Sequence, residues 1–148
     1  MKTDIIFITG DFPSISGESG SEGIYFYDVA RHLCEEAGMC IQVVAFRIDG
    51  KEYFEEKNGL SVRRFDIPVN DGGHVGLYAS DIELMYSHRM YDKAVSALAS
   101  HAVRIAESCK KNTPAWCHGI ETSGAAMEFR KRGYPVVAVA HYLMAQEL

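Results

Sequence analysis

The chain has no basic excess, no long apolar run and no paired cysteine spacing, and each absence excludes a class of function. Lys and Arg number 15 against 20 Asp and Glu, a formal net charge of −5. That balance argues against a general nucleic-acid binder or a binder of anionic membranes. The pairs Arg63-Arg64 and Lys110-Lys111 are too small to alter it and read as solvated faces. No apolar run approaches the roughly 18–20 residues of a spanning helix, so no transmembrane segment is expected. Met1-Lys2-Thr3-Asp4 leads straight into a short strand, with an acid where a signal peptide would carry its apolar segment. The four cysteines, Cys34, Cys40, Cys109 and Cys117, form no CxxC pair. They read as free buried thiols of a reducing cytoplasm, the expected location. No His, Cys and carboxylate spacing suggests a metal site, and none is expected. Internal repeats, low-complexity segments and internal domain boundaries are also missing.

What is present is an alternation of strand and helix patterns. With 148 residues, 47% apolar and 24% charged, there is room for one domain with a real core. Asp4 to Thr9 is a continuous apolar run, as in a strand covered on both faces. A Gly/Ser-rich loop from Gly10 to Gly23 follows. Ile24 to Ala37 then has helical apolar spacing, with Gly38 as its stop. Ile41 to Ile48 predicts a second strand. Asp49-Gly50 and Asn58-Gly59 are hairpin-type turns flanking Lys51 to Glu56, and Leu60 to Ile67 returns as a strand. Pro68 to Gly76 reads as a flexible loop. Asp81 to Lys111 predicts a long amphipathic helix, with Tyr91, Ala94, Val95, Leu98, Ala102, Ile105 and Cys109 on one face. A strand ending in His118, a helix opening at Glu121-Thr122-Ser123-Gly124 and a strand ending before His141 complete the chain. The expected fold is α/β, a Rossmann-like, doubly wound and mainly parallel sheet with helices on both faces.

Three features could carry chemistry. The first is the loop Gly10 to Gly23. Its glycines Gly17, Gly20 and Gly23 would let backbone N–H groups approach a ligand. Their spacing matches neither GxGxxG nor GxxxxGK[ST], and Glu18 and Glu22 would repel a phosphate. A neutral, hydroxyl-rich ligand suits the loop better; the competing reading is a plain connection. The second feature is His118 at a strand's carboxyl end, either a hydrogen-bond donor to a ligand or a satisfied structural residue. Thr122 or Ser123 would cap the helix that follows, and Gly124 would allow close backbone approach. The third is His141, in the same setting after Val136-Val137-Ala138-Val139-Ala140. In a parallel sheet both histidines would point into the crevice where such sheets bind ligands. Cys117 adjoins His118 but should point to the opposite face, so the two are not a nucleophile–base pair.

These residues resemble, in order, the N-terminal domain of a GT-B glycosyltransferase of the family 4, glycogen synthase-like kind. Ile5 to Pro13 resembles that family's first strand and proline-containing loop. Tyr25 to Gly38 is similar to its first helix, Asn58 to Phe65 to a following strand, Trp116 to Ala126 to its strand–turn–helix motif, and Pro135 to His141 to its next strand. The family's double glycine is replaced by the spaced Gly17, Gly20 and Gly23, and the first histidine of its HaH pattern is Trp116. The resemblance implies transfer of a hexose from a nucleotide diphosphate sugar to an acceptor hydroxyl, with retention and without a metal or other cofactor. It implies that His141, the catalytic residue, contacts the donor sugar. The loop carrying Gly17, Gly20 and Gly23 would lie near the donor, and His118, Glu121 and Thr122 on the acceptor side. The partners implied are a sugar or glycan acceptor and a C-terminal catalytic domain, in cis or in trans. Nothing in residues 1–148 resembles that second domain, so the chain alone is expected to be inactive. Two further readings stay open: a non-catalytic partner subunit of a split transferase, and a small flavodoxin-like phosphate-binding protein.

Overall fold

A computed structural model describes residues 2–15, 24–48, 50–68, 74–75 and 91–139. Strand β1 (Ile5–Thr9) is followed by helix α1 (Ile24–Ala37), β2 (Ile41–Phe46), β3 (Phe54–Lys57) and β4 (Leu60–Phe65). A short ladder, β5 (Ile67–Pro68) with β6 (His74–Val75), comes next. Helix α2 (Tyr91–Ala106), β7 (Ala115–His118), a 3-10 turn (Ile120–Thr122), α3 (Ser123–Lys131) and β8 (Val136–Val139) follow. The six-stranded sheet has the order β3-β4-β2-β1-β7-β8. Every pairing in it is parallel except β3 with β4. The fold is therefore the expected Rossmann-like α/β arrangement.

Strand alternation divides the core in two. Phe7, Val43, Ala45, Leu60 and Val62 face α1, which supplies Phe26, Ala30 and Cys34 at four-residue spacing. Ile6, Ile8, Val44, Phe46, Ala115 and Cys117 face α2 and α3, which supply Ala94, Leu98, Ala102, Ala125 and Phe129. Phe7, Phe46 and Phe129 are fully buried. Burial of each such ring stabilises the fold by about 1.5–3 kcal/mol. Helix α2 ends under Tyr134, whose hydroxyl donates to the Ala106 carbonyl at 3.1 Å. Helices α2 and α3 lie so close that a Cβ on Gly124 would come within 2.8 Å of Val95 Cγ1. The close backbone approach expected at Gly124 is thus made to a helix.

Several expectations need correction. Pro68 to Gly76 is not all loop, because Ile67 and Pro68 pair with Val75 and His74. The described part of the long helix is Tyr91–Ala106, and residues 81–90 lie outside the described residues. The last helix opens at Ser123, after the 3-10 turn, rather than at Glu121. Arg63 is exposed, but Arg64 is not a solvated face: its side chain is fully buried and ion-paired with Glu55 at 2.7 Å. The Asn58-Gly59 hairpin turn stands as expected, with φ of 52° and 87°.

Candidate functional site

The chain runs from β1 outward through β2 and β4 on one side, then returns to place β7 and β8 on the other. The order reverses between β1 and β7, and open α/β sheets bind ligands at the carboxyl ends of the strands flanking such a reversal. The residues there are Thr9-Gly10 and His118-Gly119, with Thr9 and His118 in register. On the far side of β7, His118 is in register with Val139, and Gly119 N–H donates to the Val139 carbonyl at 3.0 Å.

Glu121 ties the two strand ends together. At Gly119 the backbone turns with φ of 93°, a conformation that favours glycine. The 3-10 turn then brings Glu121 back over β1, where Oε1 accepts the Gly10 N–H at 3.0 Å. The fit is close. A Cβ on Gly10 would lie 2.7 Å from Oε1, and one on Gly119 would lie 2.5 Å from both carboxylate oxygens. Thr122 is buried, and its hydroxyl donates to the Gly119 carbonyl at 2.6 Å. It stands at the N-cap position of α3 but makes no side-chain cap there. Its hydroxyl holds the turn instead. Of the residues assigned to the acceptor side, Glu121 and Thr122 therefore also build the rim they sit on.

His118 is half-buried, on the α1 side of the sheet. Its ring meets Phe26 edge-on, with centroids 3.6 Å apart and planes at 66°. Phe26 also packs on Trp116 and Phe7, so the ring is held by an aromatic cluster. Phe26 belongs to the first turn of α1, the helix into which the Gly/Ser loop leads. Cys117 faces the opposite side, among α2 and α3, as strand alternation requires. Burial pushes its thiol up to about 12, which leaves it protonated and unsuited to nucleophilic work. Gly17, Gly20, Gly23 and His141 lie outside the described residues. All four cysteines are free, and no cluster of three or more metal-ligating side chains occurs among the described residues.

Sequence reasoning missed how the loop after β1 is anchored. Arg64 Nη2 donates to the carbonyls of Phe12 and Pro13, each at 3.0 Å. Its Nη1 donates to the Glu52 carbonyl at 2.9 Å and to Glu55 Oε2 at 2.7 Å. Glu55 in turn accepts from the Ser14 hydroxyl at 2.7 Å. Beside this node, Lys51 Nζ pairs with Asp11 Oδ1 at 2.9 Å, both side chains largely buried. The start of the Gly/Ser loop is thus fastened to the β3–β4 hairpin. A signal existed: period two puts Arg64 on the same face as Leu60 and Val62, an apolar face where a charge needs a partner.

No protein-family model matches the chain, and no curated protein matches it. Solved structures do. One, described as trehalose-6-phosphate from E. coli bound with UDP-2-fluoro glucose, superposes with a TM-score of 0.55 at 11% identity. It covers 92% of this chain and 32% of its own. The α,α-trehalose 6-phosphate synthase of Burkholderia multivorans gives 0.57 at 13% identity, covering 95% of this chain and 33% of its own. This chain thus spans about a third of the length of the structures it resembles. At these identities the likeness concerns fold: the chain has the architecture of a Rossmann-like domain of a GT-B protein, without assignment to a family within that fold. No described helix is long and apolar enough to cross a membrane.

Proposed function

We propose that this chain is the N-terminal, acceptor-side domain of a retaining GT-B glycosyltransferase, forming one wall of an interdomain cleft. The observation that carries the reading is the meeting of His118, Gly10, Gly119 and Glu121 at the carboxyl rim between β1 and β7. That is where this fold binds ligands, and the similar solved structures include one bound with UDP-2-fluoro glucose. In this reading a hexose moves from a nucleotide diphosphate sugar to an acceptor hydroxyl. His118 offers a ring nitrogen to a sugar hydroxyl on the acceptor side, held in position by Phe26. Glu121 sets the rim by fixing Gly10 to the turn after β7, and Thr122 locks that turn. His141 meets the donor sugar, and the loop with Gly17, Gly20 and Gly23 closes near it. A glycogen synthase-like, family 4 relationship is the finer form of the same proposal.

Catalysis of this kind rests on positioning and on stabilising the charge of the departing diphosphate. The described rim offers Glu121 and the Asp11–Lys51 pair, with no cluster of free cations among the described residues of that rim to hold a diphosphate. A second α/β domain, in cis or in trans, therefore supplies the donor site, and residues 1–148 alone do not transfer sugar. Calorimetric titration with UDP-glucose, ADP-glucose and GDP-mannose, with a product-release assay, tests this. Weak or no binding and no turnover are expected; micromolar binding or clear turnover by residues 1–148 would overturn it. Turnover regained on adding a separate second domain would identify a split enzyme.

A further inference from the structure

A second concavity lies away from the carboxyl rim, on the α2 side of the sheet. Helix α2 covers the central strands but leaves the outer faces of β4 and β3 open, and a groove of about 520 Å³ runs between them. Ser61, Arg63 and Phe65 of β4, Phe54 of β3, and His101 and Arg104 of α2 line it. The size is that of a small-molecule site.

Its chemistry is unusual for an acidic chain. No carboxylate is among the described lining residues. Neither Arg63 nor Arg104 forms an ion pair with a described residue; Arg63 rests its guanidinium 5.1 Å from the centroid of the Phe54 ring. Phe54 is 48% exposed, so one large apolar surface faces the groove's surroundings without cover from the described residues. His101 stacks on Phe65, centroids 3.7 Å apart and planes within 7°. Its Nδ1 is buried and has no hydrogen-bond partner among the described residues. Burial first, and then the Arg104 charge, hold its pKa below the ordinary histidine value, so the ring is neutral at pH 7. A groove with two guanidinium groups outside any ion pair with the described residues, and with aromatic walls, matches a ligand with an anionic end and a flat or apolar body.

We propose that this groove binds a phosphomonoester carried on a ring, the phosphoryl group between Arg63 and Arg104 and the ring against Phe54 and the His101–Phe65 stack. Two guanidinium groups match a dianionic phosphoryl better than a monoanionic carboxylate, and their forked donors suit its oxygens. The site is independent of the rim between β1 and β7 and stands whether or not the chain serves sugar transfer. Glu56 shares the strand face of Phe54 without lining the groove, so its charge opposes such a ligand mildly.

The test is a titration of the isotopically labelled chain with phenyl phosphate, followed by nuclear magnetic resonance, with inorganic phosphate and benzoate as separate arms. Saturable shifts at His101, Phe54 and Arg63 are expected, with phenyl phosphate binding at least about tenfold tighter than either control. Arg63→Gln with Arg104→Gln should weaken it by about tenfold or more, and Glu56→Gln should tighten it by about twofold. Both arginine side chains are exposed and outside any described ion pair, so the double variant should keep its Tm; if it does not, each single variant carries the same readout with a loss of about threefold. No saturable shift at these residues up to about 10 mM, equal binding of benzoate or inorganic phosphate, or unchanged affinity in the variants would each overturn the proposal.

Discussion

Replacing the buried Arg64 should strongly destabilise the fold. Its guanidinium makes four hydrogen bonds, three of them to carbonyls of Phe12, Pro13 and Glu52 and one to Glu55. Arg64→Met would leave a buried carboxylate beside three carbonyls that have lost their donor. Breaking a buried ion pair from one side costs about 3–5 kcal/mol, against a total of about 5–15 kcal/mol for a domain. Removing the charge on both sides, with Arg64→Met and Glu55→Leu together, should recover part of this, because no uncompensated ion remains. The carbonyls would still lack partners, at about 1 kcal/mol each, so the recovery should stop at roughly half. Arg64→Lys keeps the charge but not the fork and should fall between, with a loss of about 1–2 kcal/mol. The assay is urea unfolding followed by far-ultraviolet circular dichroism, with an unchanged m-value as the check on two-state behaviour. If Arg64→Met does not fold, the cycle is run with Arg64→Lys and Glu55→Gln. A loss under about 1 kcal/mol for Arg64→Met, or simple additivity of the two substitutions, would show that the Arg64–Glu55 node does not anchor the loop after β1.

Other outcomes follow from the rim and the core. Gly119→Ala should cost about 2 kcal/mol or more, from its φ of 93° and from the carboxylate oxygens 2.5 Å from the new Cβ. Adding Glu121→Ala should relieve the clash but not the backbone strain, so the pair should be non-additive in urea melts. Cys117 should resist iodoacetamide at pH 8 in the folded chain, while the half-exposed Cys40 and Cys109 react, as mass spectrometry would show. Because folding raises the Cys117 pKa, its contribution is complete below the ordinary thiol value and is lost as pH rises toward about 12. Between pH 7 and about pH 10.5, unfolding free energy should therefore fall by about 2 kcal/mol more in the native chain than in Cys117→Ala. Equal falls would remove burial as the cause.

The sheet was legible because its central strands, β1 and β2, are short apolar runs covered on both faces and its helices show four-residue apolar spacing. Ile5–Thr9, Ile41–Phe46 and Val136–Val139 stand close to where the pattern puts them. The Asn58-Gly59 pair announced its hairpin through chain stereochemistry alone. His118 was legible as a strand-end residue, since a strand followed by glycine and a helix start leaves little choice. What was not legible depends on partners distant in sequence. The anchoring role of Arg64 needs Phe12 and Pro13, 52 and 51 positions away, and the role of Glu121 needs Gly10, 111 positions away. The two-residue pairing of Ile67–Pro68 with His74–Val75 has too little pattern to detect. Helix α3 starts late because Gly119 and the Thr122 hydroxyl first make a tight turn, a backbone event that apolar spacing does not encode.

The proposed function requires that the rim between β1 and β7 be the acceptor wall of a glycosyl-transfer cleft. The most direct measurement is kcat/KM with a nucleotide diphosphate sugar for His118→Phe in the assembled two-domain enzyme. Phenylalanine keeps an aromatic ring against Phe26 and removes both ring nitrogens. A loss of about tenfold or more is expected, the effect of one or more lost hydrogen bonds of about 1.4 kcal/mol in sum, with Tm unchanged. Turnover equal to that of the native enzyme would contradict it.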